Sequence, residues 1–503
     1  MYIYNGAQIR GWDAFTINKE PVTSFGLMER ASAAVVKWIN ENYPRQKQFY
    51  IFCGPGNNGG DGLSIARQLQ EQDCSVKVFI LPSDRYSKDH QEQAMRIQTN
   101  NIPITVLESE NDFGEIAPDI VLIDALYGTG LMRPVTGLPA QLIGCINNLP
   151  NTTISIDIPS GLPSDNIPKN EQVVQADHTL SFQCPKLAFF ASENAKFTGA
   201  WTLLNIGLHK AYTSFETSIY TYVNEDFAKT VIPSQRPVHA FKGNFGHTCI
   251  LGGSYNMAGA ALLSAGACLR SGVGLLTLGI SETANVAANI HYPEAMCAAQ
   301  NQWMQHAFYE KKTSVAAGMG WVKDEYHGHL LKWLISNVSV PLLLDATALH
   351  ILADHKDQLL ARPMGSITVL TPHIGEFQRL TGVAANSFHR LEKAREMAST
   401  YQVFIILKGA FTQIITPGGL VYFNGSGNPG MAKGGSGDAL AGLLSGLLAQ
   451  NINPIEALIT GVYLHGLAGD LAAQQFSQPG MQITDLITAI PKAWKQLLPQ
   501  TIK

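Results

Sequence analysis

Short apolar runs rich in Val and Ile alternate along the whole chain with Gly-rich loops and helix-like segments. That alternation predicts parallel α/β sheets, because a strand covered on both faces reads as a continuous apolar run and returns through a crossover helix. In the first half the pattern predicts strands at 49–53, 76–81, 120–124 and 154–158, with a helix over about 27–40 before them. In the second half it predicts strands at 248–251, 275–278, 342–345, 367–370 and 404–407. A chain of 503 residues exceeds what one hydrophobic core can serve, so two α/β domains are expected, at 1–212 and 229–503. Between them, the stretch around 209–230 lacks a clear apolar period and is followed by PSQRP; 213–228 is read as the linker.

Composition narrows the function classes. With 46% hydrophobic and 15% charged residues the chain is an ordinary globular protein. A formal net charge of −4, without any Lys/Arg-rich run, argues against nucleic acid as a partner. The seven cysteines are scattered and never form a CxxC pair, which fits reduced thiols in the cytoplasm and suggests neither a disulfide framework nor a zinc site. The longest uncharged stretch, 248–269, carries four glycines, so a buried strand, loop and helix fit it better than a membrane span. The start, MYIYNGAQIRGWD, lacks the pattern of a secretory signal, and a soluble protein is expected.

Three loops of the front half carry candidate chemistry. FYIFCGPGNNGGDGLSIARQL is a strand, a Gly-rich turn and a helix start, and Gly54, Gly56 and Gly59 match GxGxxG. The motif alone reads as a dinucleotide fingerprint or as a tight turn, and nothing in it separates the two. Asn57, Asn58 and Asp61 add two amides and a carboxylate to a loop whose backbone N–H groups already favour an anion. IVLIDALYGTGLMRP ends a strand on Asp124, and ISIDIPSGLPSD ends one on Asp157 before Ser160. The carboxyl ends of parallel strands share one edge, so Asn58, Asp124, Ser160 and nearby carbonyls form an all-oxygen set suited to a hard cation. A lone strand-end Asp is more often a cap or turn residue; three such loops in one domain favour a site. Residues 1–210 offer no convincing Tyr-xxx-Lys pair or positioned His for hydride transfer, which disfavours a dehydrogenase.

GPGNNGGDGLSIAR, DALYGTGLMRPVTG, SIDIPSGLPSD and the early LMERA resemble the NAD(P)H-hydrate epimerase domain over about residues 1–212. The resemblance implies a Rossmann-like three-layer domain. It assigns Asn57, Asn58, Gly59, Gly60 and Asp61, with Gly128, Thr129, Gly130, Leu131, Met132, Arg133 and Pro134, to the hydrated dinucleotide. It further implies that Asn58, Asp124 and Ser160 hold K⁺, and that Asp157 lies against the nicotinamide as acid/base. A carboxylate at an apolar strand end suits that role, since such groups can exchange protons near neutrality.

In the back half, NPGMAKGGSGDALAGLLSGLLAQ places Gly434, Gly435, Ser436 and Gly437 before Asp438 at the mouth of an apolar helix. Successive N–H groups there make an anion hole, and Asp438 is positioned to take a proton from an attacking hydroxyl. The plain alternative is a glycine-rich turn with an Asp cap. The loop resembles that of the ribokinase-like superfamily, and GMGW, PLLLDATALH, TPHIGEF, KGAFT and HGLAGD together resemble its NAD(P)H-hydrate dehydratase branch over about 229–500. The resemblance implies a ribokinase-like three-layer α/β domain. It gives Lys408, Gly409, Ala410, Phe411, Thr412 and Gly437 to the nucleotide, and Ala260, Gly320, His373 and Asp438 to the hydrated nicotinamide. His373 also reads as a capping histidine, and Glu376 as a metal partner or a simple ion-pair partner. Ser436 departs from the larger apolar residue of many relatives, a change in packing rather than in backbone donors.

The joint resemblance is to fused repair enzymes that epimerise R- and S-NAD(P)HX and dehydrate the S form to NAD(P)H. It implies ADP as co-substrate, with ATP as the alternative, Mg²⁺ at the phosphates, and homo-oligomers, tetramers among them. Two rivals remain: a small-molecule kinase, and a scaffolding or dinucleotide-binding front domain without catalysis.

Overall fold

A computed structural model describes residues 1–499 except 111, 132, 234 and 235. It divides into two compact units, Tyr2–Ser218 and the chain from Ile219 onward, the latter including Met1.

The first unit carries β1 (Gln48–Cys53), β2 (Ser75–Ile80), β3 (Ile104–Val106), β4 (Val121–Ala125), β5 (Thr153–Ile156), β6 (His178–Phe182) and β7 (Ala200–Leu204). They form one sheet in the order β3-β2-β1-β4-β5-β6-β7, with parallel pairing between all neighbours. Both faces are covered: along β1, Ile51 and Cys53 belong to one apolar cluster and Tyr50 and Phe52 to another. This is a Rossmann-like three-layer domain. Strand order reverses between β1 and β4, which puts the loops after these two strands at the ligand-binding crevice of such folds.

The second unit adds β8 (Tyr220–Val223), β9 (His247–Leu251), β10 (Leu275–Gly279), β11 (Ala295–Ala298), β12 (Ser314–Ala317), β13 (Leu342–Leu344), β14 (Thr368–Leu370), β15 (Phe404–Leu407), β16 (Gln413–Ile415) and β17 (Val421–Asn424). Their order is β11-β10-β9-β12-β13-β14-β15-β16-β17-β8; β16 runs antiparallel to both of its neighbours. The helix Ser436–Leu448 is buried continuously from Ala439 to Leu448, as an all-round apolar helix must be. It can sit so deep because Gly442 has no side chain: a Cβ there would lie 1.9 Å from the Ser264 carbonyl oxygen of the helix Ala258–Arg270. This is the ribokinase-like three-layer architecture.

Two expectations change. The segment 213–228, read as a linker, contains β8, which pairs with β17, and the start of the helix Glu225–Val231. Four residues are too few for a period to show. The strand expected over 154–158 ends at Ile156, because Asp157 turns the chain with a φ of 65°.

Candidate active sites

At the switch point of the first sheet, a cavity of about 490 Å³ opens between the loop after β1, the loop after β4, Asp157 and the N-terminal helix Gly6–Lys19. That volume lies in the range of small-molecule binding sites. Asn57, Asn58, Asp61, Gly128, Thr129, Gly130, Leu131 and Asp157 line it. Gly59 and Gly60 have a different task. A Cβ on Gly59 would lie 1.7 Å from the Gly54 carbonyl oxygen, and one on Gly60 would lie 2.6 Å from Met28 Cε. They let the helix Asn57–Gln70 start hard against its strand, whereas Gly56 has open space before it. Arg133 and Pro134 are exposed outside the cavity wall, and Met132 lies outside the described residues.

Asp124 lies behind this wall, 1% exposed. It accepts from Ser155 Oγ at 2.7 Å, from Ser160 N at 2.9 Å, from Ser160 Oγ at 2.5 Å and from Leu126 N at 3.2 Å. Burial raises its pKa, and the hydrogen bonds from Ser160, Ser155 and Leu126 pull the other way. Ser160 Oγ in turn accepts from Tyr127 N at 2.8 Å, and the neighbouring Gly128 faces the Asn58 side chain. Asn58, Asp124 and Ser160 are thus brought to one place, and Asn58 Nδ2 is buried there without a hydrogen-bond partner.

Asp157 is held in a left-handed conformation that costs a non-glycine residue about 1–3 kcal/mol and clusters at functional sites. Its partner is Lys186, at 2.8 Å and with no exposed side-chain surface. Lys186 also donates to the carbonyls of Phe182 and Cys184, both at 3.1 Å. Sequence reasoning missed Lys186, which lies in QCPKLAFF with no motif around it, and Asp13 on the N-terminal helix. Burial, then Asp157, raise Asp13 to about 7 against the pull of Lys186. Burial raises Asp61 well above the usual carboxylate range, with Asp157, Asp13 and Asp89 adding to it.

In the second unit Asp438 occupies the first turn of the helix Ser436–Leu448. Gly435 precedes it at a φ of 94°, and a Cβ there would meet Leu263 at 2.5 Å, so the turn requires glycine. Lys408, at the end of β15, binds Asp345 at 2.8 Å and faces Glu376 at 3.8 Å. A Cβ on Gly437 would lie 3.2 Å from Lys408 Nζ and 3.6 Å from Asp345 Oδ2, so the Gly-rich turn and the ion pair adjoin. Burial opposes the charge of Lys408, yet Asp345, Glu376 and Asp438 together raise its pKa. Burial raises Asp438 to about 6, with Asp345 and Glu376 adding and Lys408 subtracting.

His373 is the N-cap of the helix Ile374–Thr381: its Nδ1 accepts from Gly375 N at 3.0 Å and Glu376 N at 3.3 Å, while Glu376 Oε2 accepts from His373 N at 2.8 Å. Its ring remains 58% exposed, with Nε2 3.6 Å from Glu376 Oε1, so capping leaves that nitrogen accessible. Gly409 and Ala410 are exposed, Phe411 and Thr412 half-buried, in the turn between β15 and β16. Ala260 and Gly320 meet, the latter at a φ of 71° with its Cβ position 3.1 Å from Ala260 Cβ. One turn further along that helix, Ser264 Oγ donates to the Asp438 carbonyl at 2.8 Å, tying this pair to the helix Ser436–Leu448. The Lys408–Asp345 pair was not foreseen, although both residues stand in quoted motifs.

Residues 248–492 match the family model described as NAD(P)H-hydrate dehydratase, and residues 24–188 match that of the YjeF-related protein N-terminus. The chain is 34% identical to the bifunctional NAD(P)H-hydrate repair enzyme Nnr of Moorella thermoacetica over 99% of its length and 97% of that protein's. It is 31% identical to the Escherichia coli enzyme of the same description, over 94% of this chain and 90% of that one. Among solved structures, the ADP/ATP-dependent NAD(P)H-hydrate dehydratase from Bacillus subtilis, co-crystallised with ATP/Mg²⁺, matches with a TM-score of 0.50 and 33% identity, covering 55% of this chain and 98% of that one. A ribokinase-like superfamily protein from Enterococcus faecalis matches with a TM-score of 0.51 and 28% identity, covering 56% and 98%.

Proposed function

The chain belongs to the bifunctional NAD(P)H-hydrate repair enzymes, and from that premise we propose how its two sites divide the work. The front cavity interconverts the R and S epimers of NADHX and NADPHX. The back site dehydrates the S epimer at the expense of ADP, with ATP as the second nucleotide. Supporting this division is the placement of Asp438, a carboxylate raised to about 6 beside the Gly-rich helix start and the Lys408–Asp345 pair. It suits a base for phosphoryl transfer in a way that a simple helix cap does not need.

In the back site Asp438 takes the proton of the substrate hydroxyl as that oxygen attacks the terminal phosphorus of the nucleotide. Lys408 and the N–H groups at Gly437 and the helix start receive the charge of the transferring phosphoryl. AMP (ADP when ATP is used) departs in that transfer; phosphate then leaves as the ring nitrogen's electron pair forms a C=N bond, and loss of a proton from the adjacent ring carbon forms the C=C bond and returns the pair to nitrogen. Lys408 to Thr412 and Gly437 bind the nucleotide, and Ala260, Gly320 and His373 the hydrated nicotinamide. Asp345 and Glu376 are oxygen donors compatible with Mg²⁺, which when bound screens the phosphates.

In the front cavity Asp157 exchanges the proton and Lys186 fixes its carboxylate. Asn57, Asn58, Asp61 and Gly128–Leu131 hold the dinucleotide at the start of the helix Asn57–Gln70; Gly59 and Gly60 act by packing, and Arg133 and Pro134 flank the entrance. The buried Asp124 carboxylate, the Ser160 hydroxyl and the side-chain oxygen of Asn58 fit K⁺, a single positive charge among oxygen ligands. K⁺ would neutralise Asp124 and lock the loops that carry the cavity wall.

Among the described residues no helix is long and apolar enough to cross a membrane, and all seven cysteines are free. These fit the cytoplasm. A homo-oligomer is part of the same reading.

The test follows absorbance at 340 nm during recovery of NADH from an epimer mixture of NADHX with ADP, Mg²⁺ and K⁺. The full chain is expected to recover all the NADH, Asp438→Ala none, and Asp157→Ala only the S fraction. No recovery by the full chain with either nucleotide would favour a small-molecule kinase.

A further inference from the structure

The N-terminal helix Gly6–Lys19 is held at a fixed rotation. Asn5 caps it through Ala7 N and Gln8 N, Trp12 Nε1 donates to the His209 carbonyl at 3.0 Å, and the Trp12 ring stacks on Tyr212. That rotation turns Ile9, Arg10 and Asp13 into the cavity of Asp157. The ammonium of Lys186 spends its three N–H groups on Asp157, Phe182 O and Cys184 O, so it offers no donor to a second carboxylate. Asp13 accepts no hydrogen bond from the described residues. Asn58 Nδ2, on the same wall and 91% buried by the residue's exposure of 9%, also lacks a partner. A cavity with an unsatisfied buried amide and a half-buried carboxyl that receives no protein donor suits a polar ligand.

We propose that Asp13 is the second proton carrier of this cavity, acting with Asp157 in a two-carboxyl epimerisation. The proposal rests on the assignment of the front cavity as the epimerase site. Protonated Asp13 gives its proton to the hydroxyl on the hydrated carbon. The carbon–oxygen bond breaks, the ring nitrogen's lone pair forms a C=N bond, and water departs. Water then adds to the same carbon from the other ring face, Asp157 takes its proton as the new carbon–oxygen bond forms, and the electron pair returns to nitrogen. Asp13 is left ionised and Asp157 protonated, the state that the reverse reaction starts from, and exchange with solvent resets both. The groups facing Asp13 suit this alternation: Asp61, Asp157, Lys186 and Cys184 from the sheet side, Tyr212 beside it, and Arg10 on its own helix. Its midpoint of about 7 leaves both forms populated near neutrality.

The experiment measures R-to-S conversion of NADHX by the full chain, with the epimers separated chromatographically, from pH 5 to 9. Asp13→Asn is expected to lower kcat about 100-fold or more, with KM little changed, and to remove the limb near pH 7. Asp13→Glu is expected to keep part of the activity with that limb displaced. An Asp13→Asn variant with the parental rate and pH profile would overturn the proposal, as would an Asp13→Glu profile identical to the parent should the Asn variant not fold. If the parent chain itself interconverts no epimers, it is the assignment of the cavity that fails, before Asp13 is reached.

Discussion

Both sites hold three carboxyl groups and one lysine: Asp13, Asp61 and Asp157 with Lys186 in front, Asp345, Glu376 and Asp438 with Lys408 behind. The wiring differs. Lys186 is sealed, with 0% of its side chain exposed, and all its donors are committed to protein groups. Lys408 is 19% exposed, holds one carboxylate closely and another loosely, and abuts the glycine where a phosphate would lie. A sealed lysine can only set the charge state of its neighbours, which is what proton exchange needs. An accessible lysine can transfer its attention to an incoming anion, which is what phosphoryl transfer needs. The same inventory of charges thus serves two chemistries by the depth at which its one cation is placed.

The comparison can be broken at several points. The largest expected effect is that of Asp438→Ala, which should cut dehydration of S-NADHX by about 10³-fold or more while R/S interconversion continues; simultaneous loss of both activities would mean that the two sites are not independent. Next is stability. Lys186→Met strips a buried carboxylate of its ion-pair partner and should cost about 3–5 kcal/mol, read from urea midpoints. Lys408→Met, at a more open position, should cost less stability and show itself in a weakened nucleotide Kd. Equal losses of stability would erase the distinction drawn between the two lysines.

A smaller effect concerns pH. If Asp438 is the base, it acts as a carboxylate, and its raised value of about 6 means that protonation would remove the active form below that pH. The kcat/KM of dehydration should fall about tenfold per unit below pH 6 and stay level up to pH 8. A profile without that limb would remove Asp438 as the base. The smallest effect is that of Gly56→Ala. Its Cβ would meet nothing within 4 Å, so stability should move by less than about 0.5 kcal/mol, although the open lip it narrows should raise KM for NADHX.

The sheets and their loops were readable because both signals are local: an apolar run is a few residues long, and a Gly-rich turn follows it directly. Asn58, Asp124, Asp157, Ser160 and Asp438 all stand in or next to such turns. Lys186 was invisible because its meaning depends on Asp157, 29 residues earlier in the chain and joined to it through the parallel pair β5–β6. Asp13 was hidden because its helix has no clean apolar stripe, with only Trp12 and Thr16 fully buried. One local trace existed, the Asn5-Gly-Ala-Gln8 capping box that marks its start. The short strand β8 escaped for the opposite reason, having too few residues to show any period.

The backbone approach of Gly442 to Ser264 has a mechanical consequence. With no side chain between them, and Ser264 Oγ fastened to the Asp438 carbonyl, the helices bearing Ala260 and Asp438 are welded into one stiff plate. Such close packing is expected to put these helices among the most slowly exchanging parts of the fold. The Gly409–Ala410 turn is exposed and has no such packing, so any opening of the proposed nucleotide site is expected there. Slow amide exchange along 439–448, against fast exchange at 409–410, would be the signature of a site that opens by its lip while its floor stays still.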